Sequence, residues 1–263
     1  MRILIDTDAR LLTVEDGGAR EEMSLYTPEA FAALSRQWVR VGWAQKYSYA
    51  FTWLGRPVIQ LPEDLLRVQE VIWHVKPDII VETGVAHGGS LVFYASLCEL
   101  MNHGEVIGVD IEIKPHNRSA IEEHPVASRI TLIEGSSVDP IVLEKVRARI
   151  PEGSRVLVLL DSNHAKGHVR AELDAYAPLV SPGSYVVATD GIMWDLHDVP
   201  GGSAEWTWDH ATAAAAEFAS EHPEFVLENP PKRFQEGSIE SPVTYWPGGW
   251  LRRTQTSSEG SRR

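Results

Sequence analysis

The chain has 263 residues, of which 43 % are apolar, enough for one large α/β unit or a unit with an appendage. A formal net charge of −13 argues against a nucleic-acid partner, whose phosphates select a basic face, although a local basic pocket for a nucleotide-sugar stays compatible with it. No apolar run reaches the roughly 20 residues of a membrane helix, Met1–Asp6 meets an acid too early for a secretory leader, and the lone cysteine, Cys98, excludes an internal disulfide, so a cytoplasmic protein without a membrane partner is expected.

Residues 1–52 read as an N-terminal extension, an irregular start followed by a helix. Thr27-Pro28-Glu29-Ala30 supplies an N-cap, a proline at the first helical position and an acid in the first turn. Phe31, Leu34, Trp38 and Val41 then recur at helical spacing, a stripe that predicts packing against another surface, a second copy in a homo-oligomer being one candidate. Leu54-Gly55-Arg56-Pro57 makes a turn, and Pro62-Glu63-Asp64 opens a helix to about Val75.

Strands and helices then alternate. Asp78–Glu82, Glu105–Asp110, Ile130–Glu134, Val156–Asp161 and Ser184–Asp190 read as strands, with helices from Gly88 to Leu100, around 165–180 and over 210–221. Val156–Leu160 is continuously apolar, as a strand buried on both faces should be. Such alternation predicts a doubly wound α/β fold with a mostly parallel sheet. Residues 254–263 are expected to form a polar, disordered tail.

Two ends of strands attract chemistry. Glu82-Thr83-Gly84 with Gly88-Gly89-Ser90 sits where the first strand turns into a helix, and glycines there let backbone approach a ligand. Asp110 ends the next strand, 21 residues after Gly89, a spacing suited to ribose hydroxyls. The acid at Glu82 would repel a pyrophosphate but favours the ammonium and sulfonium of S-adenosylmethionine, with Ser136, after the third strand, at the adenine edge. The competing reading is a strand–helix turn with no ligand.

Asp161-Ser162-Asn163-His164 follows the most apolar strand, and Asp190 ends its neighbour. Adjacent strand ends lie about 5 Å apart, so the two acids can share a hard cation such as Mg²⁺. A cation there would acidify and orient a substrate hydroxyl, and His164 is placed to take its proton. The plainer alternative is that each acid caps the following helix. The loop beyond Asp190 carries Trp194, His197, Trp206 and Trp208, faces suited to a sugar or to a lid, or to an ordinary core; Trp53 invites the same two readings.

At these residues the chain resembles the cephalosporin hydroxylase family, over roughly 53–252. The resemblance rests on Trp53-Leu54-Gly55-Arg56-Pro57, on Pro62, Asp64 and Gln69-Glu70, and on Pro77 through Gly84. It continues in Gly88-Gly89-Ser90, Asp161-Ser162-Asn163-His164, Tyr176 through Ser181, and Gly249 through Arg253. It implies a Rossmann-like class I methyltransferase domain over 53–253 that uses S-adenosylmethionine to O-methylate a deoxysugar, in antibiotic or other secondary metabolism. Carried over, the metal and base roles fall on Asp161, His164 and Asp190; sugar contacts are expected, on the residues themselves, at Trp53, Arg56, Trp194 and His197. One position departs: the family's Glu-Asp pair is Thr189-Asp190 here, so one charged metal ligand is replaced by a hydroxyl or a water. Two other functions stay open. One is a non-catalytic S-adenosylmethionine-binding subunit. The other is a β-lactam-tailoring oxygenase, whose iron would need two histidines and a carboxylate where this edge offers only His164.

Overall fold

The computed structural model describes residues 1–254. Its centre is a seven-stranded sheet assembled in the order β11-β12-β10-β9-β6-β7-β8. These strands are β6 (Ile79–Thr83), β7 (Glu105–Asp110), β8 (Ile130–Glu134), β9 (Val156–Leu160), β10 (Tyr185–Ala188), β11 (Phe225–Leu227) and β12 (Trp250–Arg253). From β10 through β9, β6 and β7 to β8 all pairings are parallel, and β12 alone runs against its two neighbours. This is the mostly parallel α/β fold that the alternating pattern predicts.

Every residue of β6 and β9 is buried, which is why both read as unbroken apolar runs. Side chains alternate between two cores. Ile80, Leu157, Leu159 and Val187 pack beneath α2 (Pro62–Val75) and α3 (Gly89–Met101), whereas Val81, Val158, Leu160 and Val186 pack beneath α6 (Lys166–Tyr176) and α7 (Ala211–Glu221). The chain winds outward from β6 to β8, then returns to place β9 on the other side of β6. The resulting reversal, at the carboxyl ends of β6 and β9, is where open α/β sheets form a crevice.

The expected irregular start is instead a three-stranded antiparallel meander, β1 (Arg2–Asp6), β2 (Leu11–Asp16) and β3 (Ala19–Ser24). Only Leu12 and Thr13 in it are buried, so no alternation of apolar and polar residues marks it. In α1 (Pro28–Ala44) the Thr27 side chain caps Ala30 N–H, as the sequence indicates. Within the chain Phe31, Trp38 and Val41 of its stripe are exposed, and the buried residues of the helix are Ala30 and Val39. The turn at 54–57 is the tip of a hairpin of β4 (Phe51–Trp53) and β5 (Arg56–Val58), strands too short to show a period.

Two further helices escape the apolar pattern, α4 (Pro115–Glu122) and α5 (Pro140–Arg147); their signals were prolines at the first turn and the Asp139 cap on Ile141 N–H. Among the described residues no helix is long and apolar enough to cross a membrane. Apart from Thr254, the expected disordered tail lies outside the described residues.

Candidate active site

The crevice is walled first by the turn from β6 into α3. Gly84 and Gly88 have φ of +92° and +77°. At these glycines the protein itself fills the space a side chain would need. A Cβ on Gly84 would lie 2.0 Å from the Asp161 carbonyl oxygen, one on Gly88 2.3 Å from Ile121, and one on Gly89 2.0 Å from the Pro57 carbonyl oxygen. Asp110 is bound to the same turn: its Oδ2 accepts from Val85 N–H at 2.7 Å and Ala86 N–H at 3.2 Å. Part of its hydrogen-bonding capacity therefore holds the loop rather than waiting for a ribose.

Arg56 also braces this turn. Its guanidinium donates to the His87 carbonyl and, at 3.0 Å, to Asn117 Oδ1. Trp53 donates its indole N–H to Ser96 Oγ at 3.0 Å and packs edge-on against Phe93, on α3. Glu82 is fully buried, accepting from Ser90 Oγ at 2.6 Å and Tyr94 OH at 3.0 Å. Burial, followed by the charge of Asp161, holds its carboxyl well above the usual range. Thr83 is buried beside it with an unpaired hydroxyl. Ser136 contributes its carbonyl to the turn that starts α5, and its neighbour Ser137 is buried with Oγ 3.4 Å from His168 Nε2.

On the other side of Asp161 the acids and the histidine converge as the strand ends predict. One ligand atom from each of Asp161, His164 and Asp190 lies within 4.8 Å of the others. His164 Nε2 is 3.4 Å from Asp190 Oδ2, and its Nδ1 is buried without a partner. Asp190 holds a left-handed backbone, φ +53°, a strained conformation of the kind that gathers at functional sites. Loss of water pushes the Asp161 carboxyl up to about 6, with the charge of Asp190 second. Burial likewise raises that of Asp190. Thr189 is fully buried, its Oγ 2.5 Å from Asp161 Oδ1 and 2.9 Å from the Leu160 carbonyl. Its hydroxyl orients an acid.

Sequence reasoning missed the residues beneath this edge. Gln60 Nε2 donates to Asp161 Oδ2 at 3.0 Å. Asp64, at the start of α2, accepts from the Thr244 hydroxyl and, at 2.8 Å, from Tyr245 N–H, while the Tyr245 carbonyl accepts from Ile192 N–H in the turn after Asp190. Asp64 thereby ties α2 to the floor of the site. Burial pushes its carboxyl up to about 7 from the ordinary 3.8. A proton held more tightly in the folded state contributes stability that is complete below the ordinary value and lost as pH rises through about 7. In Asp64→Asn this dependence disappears. Urea unfolding should show wild type exceeding the variant most in acid, the gap narrowing by on the order of 2 kcal/mol toward pH 8; a gap independent of pH would refute the assignment.

Of the loop aromatics, Trp194 is partly exposed under the Arg36 guanidinium, and His197 Nδ1 lies 2.9 Å from the Trp194 carbonyl. Arg36 and Arg40 both bind Asp195 and anchor this turn to α1. Trp206 packs edge-on against Trp43, whereas Trp208 is exposed.

Residues 45–254 match the family described as Rhamnosyl O-methyltransferase/CmcI. A rhamnosyl O-methyltransferase of Mycobacterium tuberculosis is 28 % identical over 173 residues, covering 65 % of this chain and 69 % of that protein. The demethylmacrocin O-methyltransferase of Streptomyces fradiae is 35 % identical over 110 residues, 42 % of this chain and 24 % of that one. A solved structure of CmcI with Mg and SAM shares the fold at a TM-score of 0.51 and 20 % identity, covering 79 % of this chain and 78 % of that one.

Proposed function

The chain belongs to the Rhamnosyl O-methyltransferase/CmcI family, and from that premise we propose that it transfers the methyl group of S-adenosylmethionine to a hydroxyl of a deoxysugar, borne by a nucleotide or a natural-product scaffold. The observation that carries this reading is the meeting of Asp161, His164 and Asp190 at the crevice. The two carboxylates form a hard oxygen donor pair, which fits a divalent cation such as Mg²⁺, with the imidazole beside them. Two carboxyls beside the glycine turn, buried Glu82 and half-buried Asp161, fit a cationic cofactor. When bound, S-adenosylmethionine supplies an electrophilic methyl carbon and the cation a Lewis acid that acidifies the acceptor hydroxyl.

Asp161 and Asp190 would hold the cation, and Thr189 and Gln60 orient Asp161 through its two oxygens. His164 takes the hydroxyl proton on its imidazole. The cofactor would lie along Glu82, Thr83, Gly84, Gly88, Ser90, Asp110, Ser136 and Asp161. Trp194 and His197, in the segment after Asp190, would meet the acceptor. Trp53 and Arg56, which brace α3 and the glycine turn, would also touch the sugar. We read residues 53–253 as the catalytic unit, in the cytoplasm, and 1–52 as an extension whose exposed Phe31, Trp38 and Val41 meet another copy.

The test is mass spectrometry of the protein with S-adenosylmethionine and a panel of nucleotide-deoxysugars and glycosides. A methylated sugar is expected, with product lost on chelation and restored by Mg²⁺. Turnover indifferent to chelation would remove the cation from the mechanism. The Thr189 position favours one alternative, a binding-only subunit, which would show cofactor affinity by calorimetry and methylate nothing.

A further inference from the structure

Gln60 stands between the β4–β5 hairpin and α2 and is 4 % exposed. Its Nε2 donates to Asp161 Oδ2, which fixes the amide, since a carboxylate offers nothing for Oε1 to accept. Oε1 is left buried with no donor. Buried polar atoms in folded proteins are nearly always paired, so an orphan beside a crevice marks a place for a partner.

The surroundings specify that partner. Gln60, Gly84, Ser90 and Asp161 bound a cavity of about 50 Å³, room for an ammonium-sized group and none for a ring. No lysine or arginine lines it. Asp161 lines it, and Glu82 lies behind Ser90, whose Oγ it accepts, so one carboxyl and an unpaired carbonyl oxygen border the small space with a second carboxyl behind its wall. Such a site calls for a cation with several N–H donors. Of the cluster suited to a divalent ion only Asp161 reaches this wall; His164 and Asp190 are absent from it.

We infer that Gln60 is a binding residue for the α-ammonium of the cofactor's methionine end, its Oε1 accepting an N–H that Asp161 and Glu82 attract by charge. The inference rests on the S-adenosylmethionine reading above and adds a recognition element upstream of the glycine turn.

Calorimetry on the full chain tests it with S-adenosylhomocysteine and with its des-amino analogue, in which hydrogen replaces the amino group. Wild type should prefer S-adenosylhomocysteine by roughly tenfold or more, the range of a hydrogen bond to a charged group. Gln60→Leu should narrow that preference to about threefold or less by weakening S-adenosylhomocysteine alone, since the des-amino compound has no N–H to lose. Gln60→Glu keeps an acceptor and should retain most of the preference. Should Gln60→Leu fail to fold by thermal melting, Gln60→Met, of similar shape and equally without a strong acceptor, carries the same comparison. Equal loss of both ligands in these variants, or no loss of either, would overturn the inference and leave Gln60 as a support for Asp161. Wild type that binds both compounds equally overturns it too, with the cofactor reading intact. Wild type that binds neither overturns both.

Discussion

His164→Ala is expected to lower methyl transfer by about two orders of magnitude or more, the range of a positioned general base, while affinity for S-adenosylhomocysteine stays within about twofold of wild type. The imidazole stands at the mouth of the site with Nε2 against Asp190 and Nδ1 unpaired, so one ring nitrogen has a carboxylate to orient it and the other is free of internal duty. It makes no hydrogen bond to the glycine turn, to Glu82 or to Gln60, so its removal should spare the cofactor side. Single-turnover mass spectrometry measures the chemical step, and calorimetry the binding. A His164→Ala protein with ordinary turnover would refute the base assignment. Rescue of that variant by added imidazole would separate proton transfer from a role in holding the cation.

Gly84→Ala should be more damaging to the molecule as a whole. At φ +92° an alanine is strained by about 1–2 kcal/mol before any contact is considered. Its Cβ would also overlap the backbone carbonyl of Asp161 at 2.0 Å, an atom without a flexible side chain's freedom to swing aside. Relief requires parting the ends of β6 and β9, where Asp161 N–H donates to the Thr83 carbonyl at 2.8 Å, in the most buried part of the sheet. Together these should destabilise the fold by about 3 kcal/mol or more, visible as a lower melting temperature, and any folded fraction should lose cofactor affinity because Asp161 is displaced. Wild-type melting in Gly84→Ala would show that the strand ends separate easily, contrary to the packing described.

The roles of the site residues were legible to different depths. Asp161 and Asp190 stand out because each closes a strand whose apolar run is interrupted by a charge, and parallel neighbours necessarily bring such ends together. Glu82 is as visible, yet its two hydroxyl partners come from Ser90 and Tyr94 on a helix face, a detail that spacing alone leaves open. Arg56 and Trp53 were legible only as polar and aromatic groups near a crevice; their hydrogen bonds to α3 and its turn come from the tertiary structure.

What the sequence determined by itself is the five parallel strands of the sheet and the longer helices between them; strands β11 and β12 and the short helices α4 and α5 were not legible in it. Strands buried on both faces must be apolar throughout, helices covering them must repeat every three to four residues, and either pattern can be read in a single stretch of chain. What only the tertiary structure decided is which polar atoms are satisfied and which are left over. Gln60 meets Asp161 across 101 residues, and Asp64 meets Thr244 across 180. Hydrogen bonds of that reach depend on how distant segments settle around the sheet, and no local periodicity encodes them. The same holds for Gly84, whose necessity comes from a carbonyl on the adjacent strand rather than from its neighbours in sequence.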